Sequence, residues 1–432
     1  MIYIFGMNFC GISNGVKDHC SHMANEFYLS ASSVKDAVTL SQFEGKDLDD
    51  KTLQLILTSQ LDEGNIGAMA KFMQMVALRN APPLGASEEE WKKYIDIVYQ
   101  SCSCYSTAIE KETLPLDIQS TLENKGYQVQ KLPFASGSMC SIYKVKKEDE
   151  EYVLKIPHPE SITRAQRVIS VIRHFASYVK SRVGISNIED AFETMKALVL
   201  EEGDPKKEVE KINSMQQIFQ NHPYIRIPRI IELNEKFFIM EFMKGEKHIV
   251  DFYNSGSDNE RKKLAQLLMT FLFKSLARGL WYTDFNGCCA KIHSADDKIF
   301  LEMLDFGACM FLTKQEANAL IRFCQFDEET VATDFFKTFG CQDAFSIKAL
   351  TPLFQVYIKP LRKNEPTQFL YAREEEAEYN RIMKNLEKMP NIYGPKKIFS
   401  LLKWFQQVNY ILYSLHLPPM NFYQMIQESQ KS

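Results

Sequence analysis

The stretch 299–307, IFLEMLDFG, decides how this chain is read. An apolar run ends on Asp305, and Phe306-Gly307 follow it. The carboxylate is thereby held at a turn, where glycine tolerates backbone angles closed to other residues. Taken alone, such an aspartate is a turn or helix-cap residue. Two further charged positions change its meaning. Lys155 lies within YVLKIP (152–157), where strand alternation gives its side chain one defined face. Asp284 lies within LWYTDFNGCCAKI (280–292), twenty-one residues before Asp305. A strand lysine followed by two acids, the second in Asp-Phe-Gly, is the layout of a phosphoryl-transfer site. In that layout the lysine holds nucleotide phosphates, the Asp-Phe-Gly carboxylate holds Mg²⁺, and the earlier aspartate orients the acceptor or takes its proton.

Working outward, the chain is punctuated as a mixture of strands and helices. SIYKVKK and YVLKIP alternate around the charged turn EDEE, which predicts a hairpin. YIRIPRIIEL and KFFIMEFM (224–243) predict a second strand pair joined through Asn234-Glu235. Between them, EEGDPKKEVEKINSMQQIF (201–219) predicts a helix. Asp204 is its N-cap, Pro205 its first residue, and Val209, Ile212, Met215 and Phe219 share one face. After 246 the pattern is mainly helical, apart from strand-like pieces at AKIH and FLEMLDFG. This order predicts an α+β fold of two lobes with a cleft between them. Expected units are a helical N-terminal extension (1–130), a strand-rich lobe (131–245) and a mainly helical lobe (246–432).

Bulk properties narrow the function classes. The 432 residues carry 51 Lys+Arg against 55 Asp+Glu, a net charge of −4 that gives no general attraction to nucleic acid or anionic lipid. No apolar run approaches the roughly 18 residues a membrane span requires. Neither a signal peptide nor a transit peptide is expected, since no arginine precedes Arg79 and acids come early. A cytoplasmic or peripheral-membrane location is therefore expected. The ten cysteines have no C-x-x-C pairing and read as reduced thiols. His19-Cys20-Ser21-His22 fits no zinc spacing, and the C-terminal IFSLLKWFQQVNYILYSL is read as a core-packing rather than a membrane-surface helix.

The combined motifs resemble the UbiB-type, aarF-domain atypical kinase-like family over about residues 67–420. That family carries a Lys-x-Gly-Gln helix, and KFMQ supplies Lys71 and Gln74 with Met73 in the glycine position. Its alanine-rich nucleotide loop is matched by Ala135, Ser136, Gly137 and Ser138, where Gly137 replaces an alanine. The strand lysine is Lys155. The family's Glu-x-Asp-x-x-x-Glu helix start is matched by Glu202, Asp204 and Glu208, with Lys211 where asparagine is usual. Glu241 to Gly245 match the crossover between lobes.

The family's His-x-Asp-Pro-His-Pro-Gly-Asn loop is matched only in part. Tyr282 stands for the histidine, Asp284 is retained, and Cys289 falls where the metal-binding asparagine belongs. A thiol is a poor ligand for Mg²⁺, so Asn286 is the nearest replacement oxygen donor. The resemblance implies a kinase-like fold and ATP-Mg²⁺ as cofactors. Lys155, Glu208, residues 135–138, Lys71 and Gln74 would surround the nucleotide, Asp305 and Asn286 the metal, and Asp284 the reaction. It also implies a link to coenzyme Q (ubiquinone) or isoprenoid-lipid metabolism, with lipid or lipid-pathway enzymes as partners and a mitochondrial or related setting. The alternative is a nucleotide-binding pseudokinase acting as a switch or scaffold, and a module that no longer holds nucleotide is a third reading.

Overall fold

The computed structural model describes residues 114–136, 140–158, 186–252, 256–283, 285, 289–295, 298–362, 378, 381–382, 384–386, 388–389 and 391–415. The Lys71/Gln74 helix, the 19–22 cluster, Gly137, Ser138, Asp284 and Asn286 lie outside them.

The expected hairpin forms from β3 (Cys140–Lys147) and β4 (Glu150–Pro157), in antiparallel register with Ile142 opposite Lys155. Glu148 makes the turn with φ of 56°. Four further strands complete a six-stranded sheet: β1 (Gln128–Val129), β2 (Ala135–Ser136), β6 (Ile230–Leu233) and β7 (Phe238–Glu241). The order is β1-β3-β4-β7-β6, with β2 also on β3.

The two faces of this sheet enter different cores, as period-2 side-chain alternation requires. Leu154, Ile156, Tyr143, Val145 and Ile239 pack with Ile118 and Leu122 of α1 (Leu116–Asn124). Val153 and Met240, opposite one another in the register, face the main core instead. Lys155 lies two residues from Val153 and shares its face.

Residues 201–219 fold as expected into α3 (Pro205–Phe219), which follows α2 (Ile188–Glu202). The Asp204 carboxylate accepts from the Lys206 N–H, 2.9 Å away, and Pro205 sits at the first helical position. Val209, Ile212, Met215 and Phe219 are all buried, as their spacing predicts.

One expectation is corrected. The predicted strand 224–233 divides into β5 (Ile225–Arg226) and β6, with Pro228 between them. Proline has no N–H to give a ladder, so the run breaks there. β5 pairs in parallel with β11 (Lys298–Met303) and so joins a different sheet, ordered β5-β11-β10-β8 with β8 (Lys247–His248) and β10 (Ala290–Ala295).

The helical half contains α4 (Ile249–Phe252), α5 (Asp258–Ala277), α6 (Lys314–Gln325), α7 (Glu329–Thr338), α8 (Ala344–Arg362) and α9 (Ile398–Ser414). Capping boxes open α5 and α6, Ser257 with Glu260 and Thr313 with Glu316. On α9, Leu401, Trp404, Phe405 and Val408 are buried among the same apolar side chains that surround α5, so this helix packs into the core. No described helix is long and apolar enough to cross a membrane. A two-stranded ladder of β9 (Leu280–Tyr282) and β12 (Cys309–Phe311) closes the segment that begins at Asp284 and ends with Asp-Phe-Gly.

Candidate active site

Three of the expected side chains meet. Lys155 on β4 places Nζ 2.6 Å from Glu208 Oε1 on α3 and 3.1 Å from Asp305 Oδ1 after β11. Lys155 and Glu208 are 6% and 3% exposed, whereas the Asp305 side chain is 53% exposed. The triad therefore has a buried base and an open carboxylate end.

Burial opposes charge on Lys155, but the nearby carboxylates of Asp305 and Glu208 outweigh it and hold the ammonium well above its usual range. Burial raises the Glu208 carboxyl, and Lys155 only partly offsets that rise. The thiol of Cys140, across the strand pair near Lys155, is pushed up to about 12 by burial. It is a packing group rather than a nucleophile.

The Asp-Phe-Gly turn is tied on several sides. The Gly307 N–H donates to Asp305 Oδ1 at 3.2 Å, and Lys211 Nζ donates to the Gly307 carbonyl at 3.0 Å. The Tyr282 hydroxyl donates to the Asp305 backbone carbonyl, and the Thr283 hydroxyl to the Ala308 carbonyl. Tyr282 is buried among Phe271, Phe285 and Phe306. The tyrosine ring thus braces this segment from inside. Cys289 is buried beside Tyr282, and its carbonyl accepts from the Leu304 N–H at 2.9 Å. Its backbone joins the 289–290 end of the segment to the residue preceding Asp305.

Some participants were not singled out from sequence. Gln407 of α9 accepts from the Phe285 N–H at 2.8 Å, so the C-terminal helix anchors the peptide that follows Asp284. A polar pair inside the apolar run LLKWFQQV was the available signal. Glu302, buried on β11, accepts from the Gly245 N–H at 2.6 Å and from Arg226 at 3.2 Å. It ties Gly245 and Arg226 to β11. Lys211, which stands where the family usually has asparagine, reaches Gly307 and Glu201. Ala135 and Ser136 form β2 against Ile142 and Ser141.

Residues 100–334 match the model of the ABC1 atypical kinase-like domain. That is more than half of the sequence. The chain belongs to the ABC1 atypical kinase-like family. Comparison with curated proteins gives no match. Among solved structures, the ABC1-type chain is similar to Rv3197 from Mycobacterium tuberculosis, determined in complex with erythromycin. The TM-score is 0.51 at 16% identity, covering 90% of this chain and 97% of the other. At that identity the likeness concerns fold. The ABC1 match and the mixed sheets establish an α+β, protein-kinase-like fold.

The donor set fits a magnesium nucleotide. Mg²⁺ takes oxygen ligands and commonly uses one or two protein carboxylates, completing its shell with water and phosphate. Asp305 offers such a carboxylate beside a cation suited to phosphate oxygens. Among the described residues no group of three or more His, Cys, Asp and Glu could hold a metal without such help.

Proposed function

We propose that this atypical kinase-like protein binds ATP-Mg²⁺ and acts as an atypical kinase or ATPase. Lys155 would receive the phosphates, held by Glu208, and Asp305 would take the metal. Asp284 would orient the acceptor hydroxyl or water, with Asn286 as a further oxygen donor. The 135–138 loop would approach the phosphates through its backbone, and Lys71 and Gln74 would lie nearby. The base would rest on the apolar face that Lys155 shares, formed by Ile142, Val153 and Met240.

The observation that carries this reading is the Lys155–Glu208–Asp305 triad. A buried lysine held by a buried glutamate on one side, with an exposed carboxylate on the other, suits a polyanion bridged to a hard cation. Family kinship supports the further proposal of a role in coenzyme Q or isoprenoid-lipid metabolism in a mitochondrial or related compartment, possessing lipid or lipid-pathway enzymes as partners. The second reading, a nucleotide-binding pseudokinase that works as a switch or scaffold, is favoured by one observation. Cys289, at the expected metal-ligand position, is a buried thiol.

The test is thermal stabilisation by ATP with and without Mg²⁺, followed by turnover, in wild type and Asp305→Asn. A ligand that binds the native state raises its stability with occupancy. Mg²⁺-dependent stabilisation with turnover that Asp305→Asn abolishes is the expected result. Stabilisation without turnover selects the pseudokinase, and no shift with ATP removes both readings.

A further inference from the structure

Lys211 is fully buried on the core-facing side of α3, among Val209, Ile212 and Met215 and one turn from the buried Glu208. A charge in that position is costly unless partners satisfy it. Its partners are informative. Nζ donates to the carbonyl oxygen of Gly307 at 3.0 Å and lies 3.1 Å from Glu201 Oε2 at the end of α2. The Gly307 N–H, at the other end of the same residue, donates to Asp305 Oδ1 at 3.2 Å. That oxygen is also the one Lys155 reaches.

The glycine is pressed in from a second direction. A Cβ on Gly307 would stand 2.6 Å from Glu202 Cγ. Glu208, one helical turn before Lys211 on the same face, holds Lys155. Helix α3 therefore grips both the lysine and the turn.

We propose that Lys211 is a positioning residue that clasps the Asp-Phe-Gly turn, and that through Gly307 it sets the direction of the Asp305 carboxylate. Glu201 neutralises the clasp, so the end of α2 is coupled to the site. The effect on metal-nucleotide binding rests on the function proposed above. The clasp itself does not.

Lys211→Met keeps the stem volume and removes the donor and the charge. Ile212→Val, a trimmed core residue on the same helix, is the control for simple destabilisation. In folded Lys211→Met, hydrogen exchange of peptides spanning 304–309 should accelerate at least about fivefold, with no such change in Ile212→Val. The Mg²⁺ concentration giving half of the ATP-induced thermal shift should rise by a similar factor in Lys211→Met alone. Should Lys211→Met fail to fold, Glu201→Gln, altered at its half-exposed end, serves in its place and should accelerate the same peptides to a smaller extent. Exchange in 304–309 equal to wild type overturns the clasp. If wild type shows no ATP shift, the nucleotide reading fails, and the exchange measurement still decides for or against Lys211. Faster exchange with an unchanged Mg²⁺ midpoint overturns the effect on Asp305.

Discussion

Lys155 Nζ lies 2.6 Å from Glu208 Oε1, although 53 residues separate them and one belongs to a strand and the other to a helix. Removing one member of a buried pair leaves the other charge without compensation, at a cost of about 3–5 kcal/mol. Lys155→Met should therefore lower the stability measured by urea denaturation by roughly that range. Lys155→Met/Glu208→Leu should recover most of the loss, since an apolar pair of similar volume is tolerated. The double variant should still show no ATP-induced thermal shift. A single variant as stable as wild type would refute the pairing.

Tyr282 braces the Asp-Phe-Gly turn through one hydroxyl, and its ring is packed independently of that bond. Tyr282→Phe keeps the ring and leaves the Asp305 carbonyl without this donor. The net contribution of one such hydrogen bond is about 0.5–1.5 kcal/mol. The expected signature is a loss within that range by denaturation, together with weaker Mg²⁺-dependent stabilisation by ATP. Equal Mg²⁺ dependence in Tyr282→Phe and wild type would assign Tyr282 to packing alone.

Gly245 sits where the crossover passes over β10. A Cβ there would lie 2.5 Å from Lys291 Cβ and 3.0 Å from Glu302 Oε2. Gly245→Ala forces β10 and the crossover apart, and overpacking of this kind costs about 1–3 kcal/mol. Gly126 has φ of 81° and nothing within 4 Å of its added Cβ, so Gly126→Ala should cost only the backbone term, about 1 kcal/mol. Comparing the two melting temperatures separates steric from conformational cost.

Glu316 closes the capping box of α6 and also pairs with Lys397 just before α9. Burial raises this carboxyl, but the hydrogen bonds from Lys397 and Thr313 overturn that effect and leave it below its ordinary value. A depressed folded-state pKa gives stability that is present above the unfolded value, about 4.3, and lost as pH falls through the folded value. Glu316→Gln should thus be about 1 kcal/mol less stable than wild type at pH 7. The difference should shrink below about pH 4. A gap that stays constant from pH 7 to pH 3 would show that charge at Glu316 contributes nothing.

What could be read directly from sequence were features with local causes. Asp204, Pro205 and the spacing of Val209, Ile212, Met215 and Phe219 specify α3, because capping and helical periodicity act within a few residues. The alternation of YVLKIP around Lys155 likewise specifies a strand whose two faces enter different cores. Order along the chain pointed to Lys155, Glu208 and Asp305 together. Pro228 breaks the 224–233 run locally, but which sheet each half joins depends on β11, some seventy residues later.

The sequence by itself determined the helix and strand periods, the α+β class and the charged residues suited to phosphate chemistry. Only the tertiary structure decided which of those charges touch. Lys211 lies three residues from Glu208, a spacing at which two side chains on a helix surface can meet. Folding instead buried both, sent Glu208 to Lys155, and sent Lys211 to Gly307 and Glu201. The physical reason is that a buried charge is tolerated only beside partners that satisfy it, and those partners arrive from distant parts of the chain.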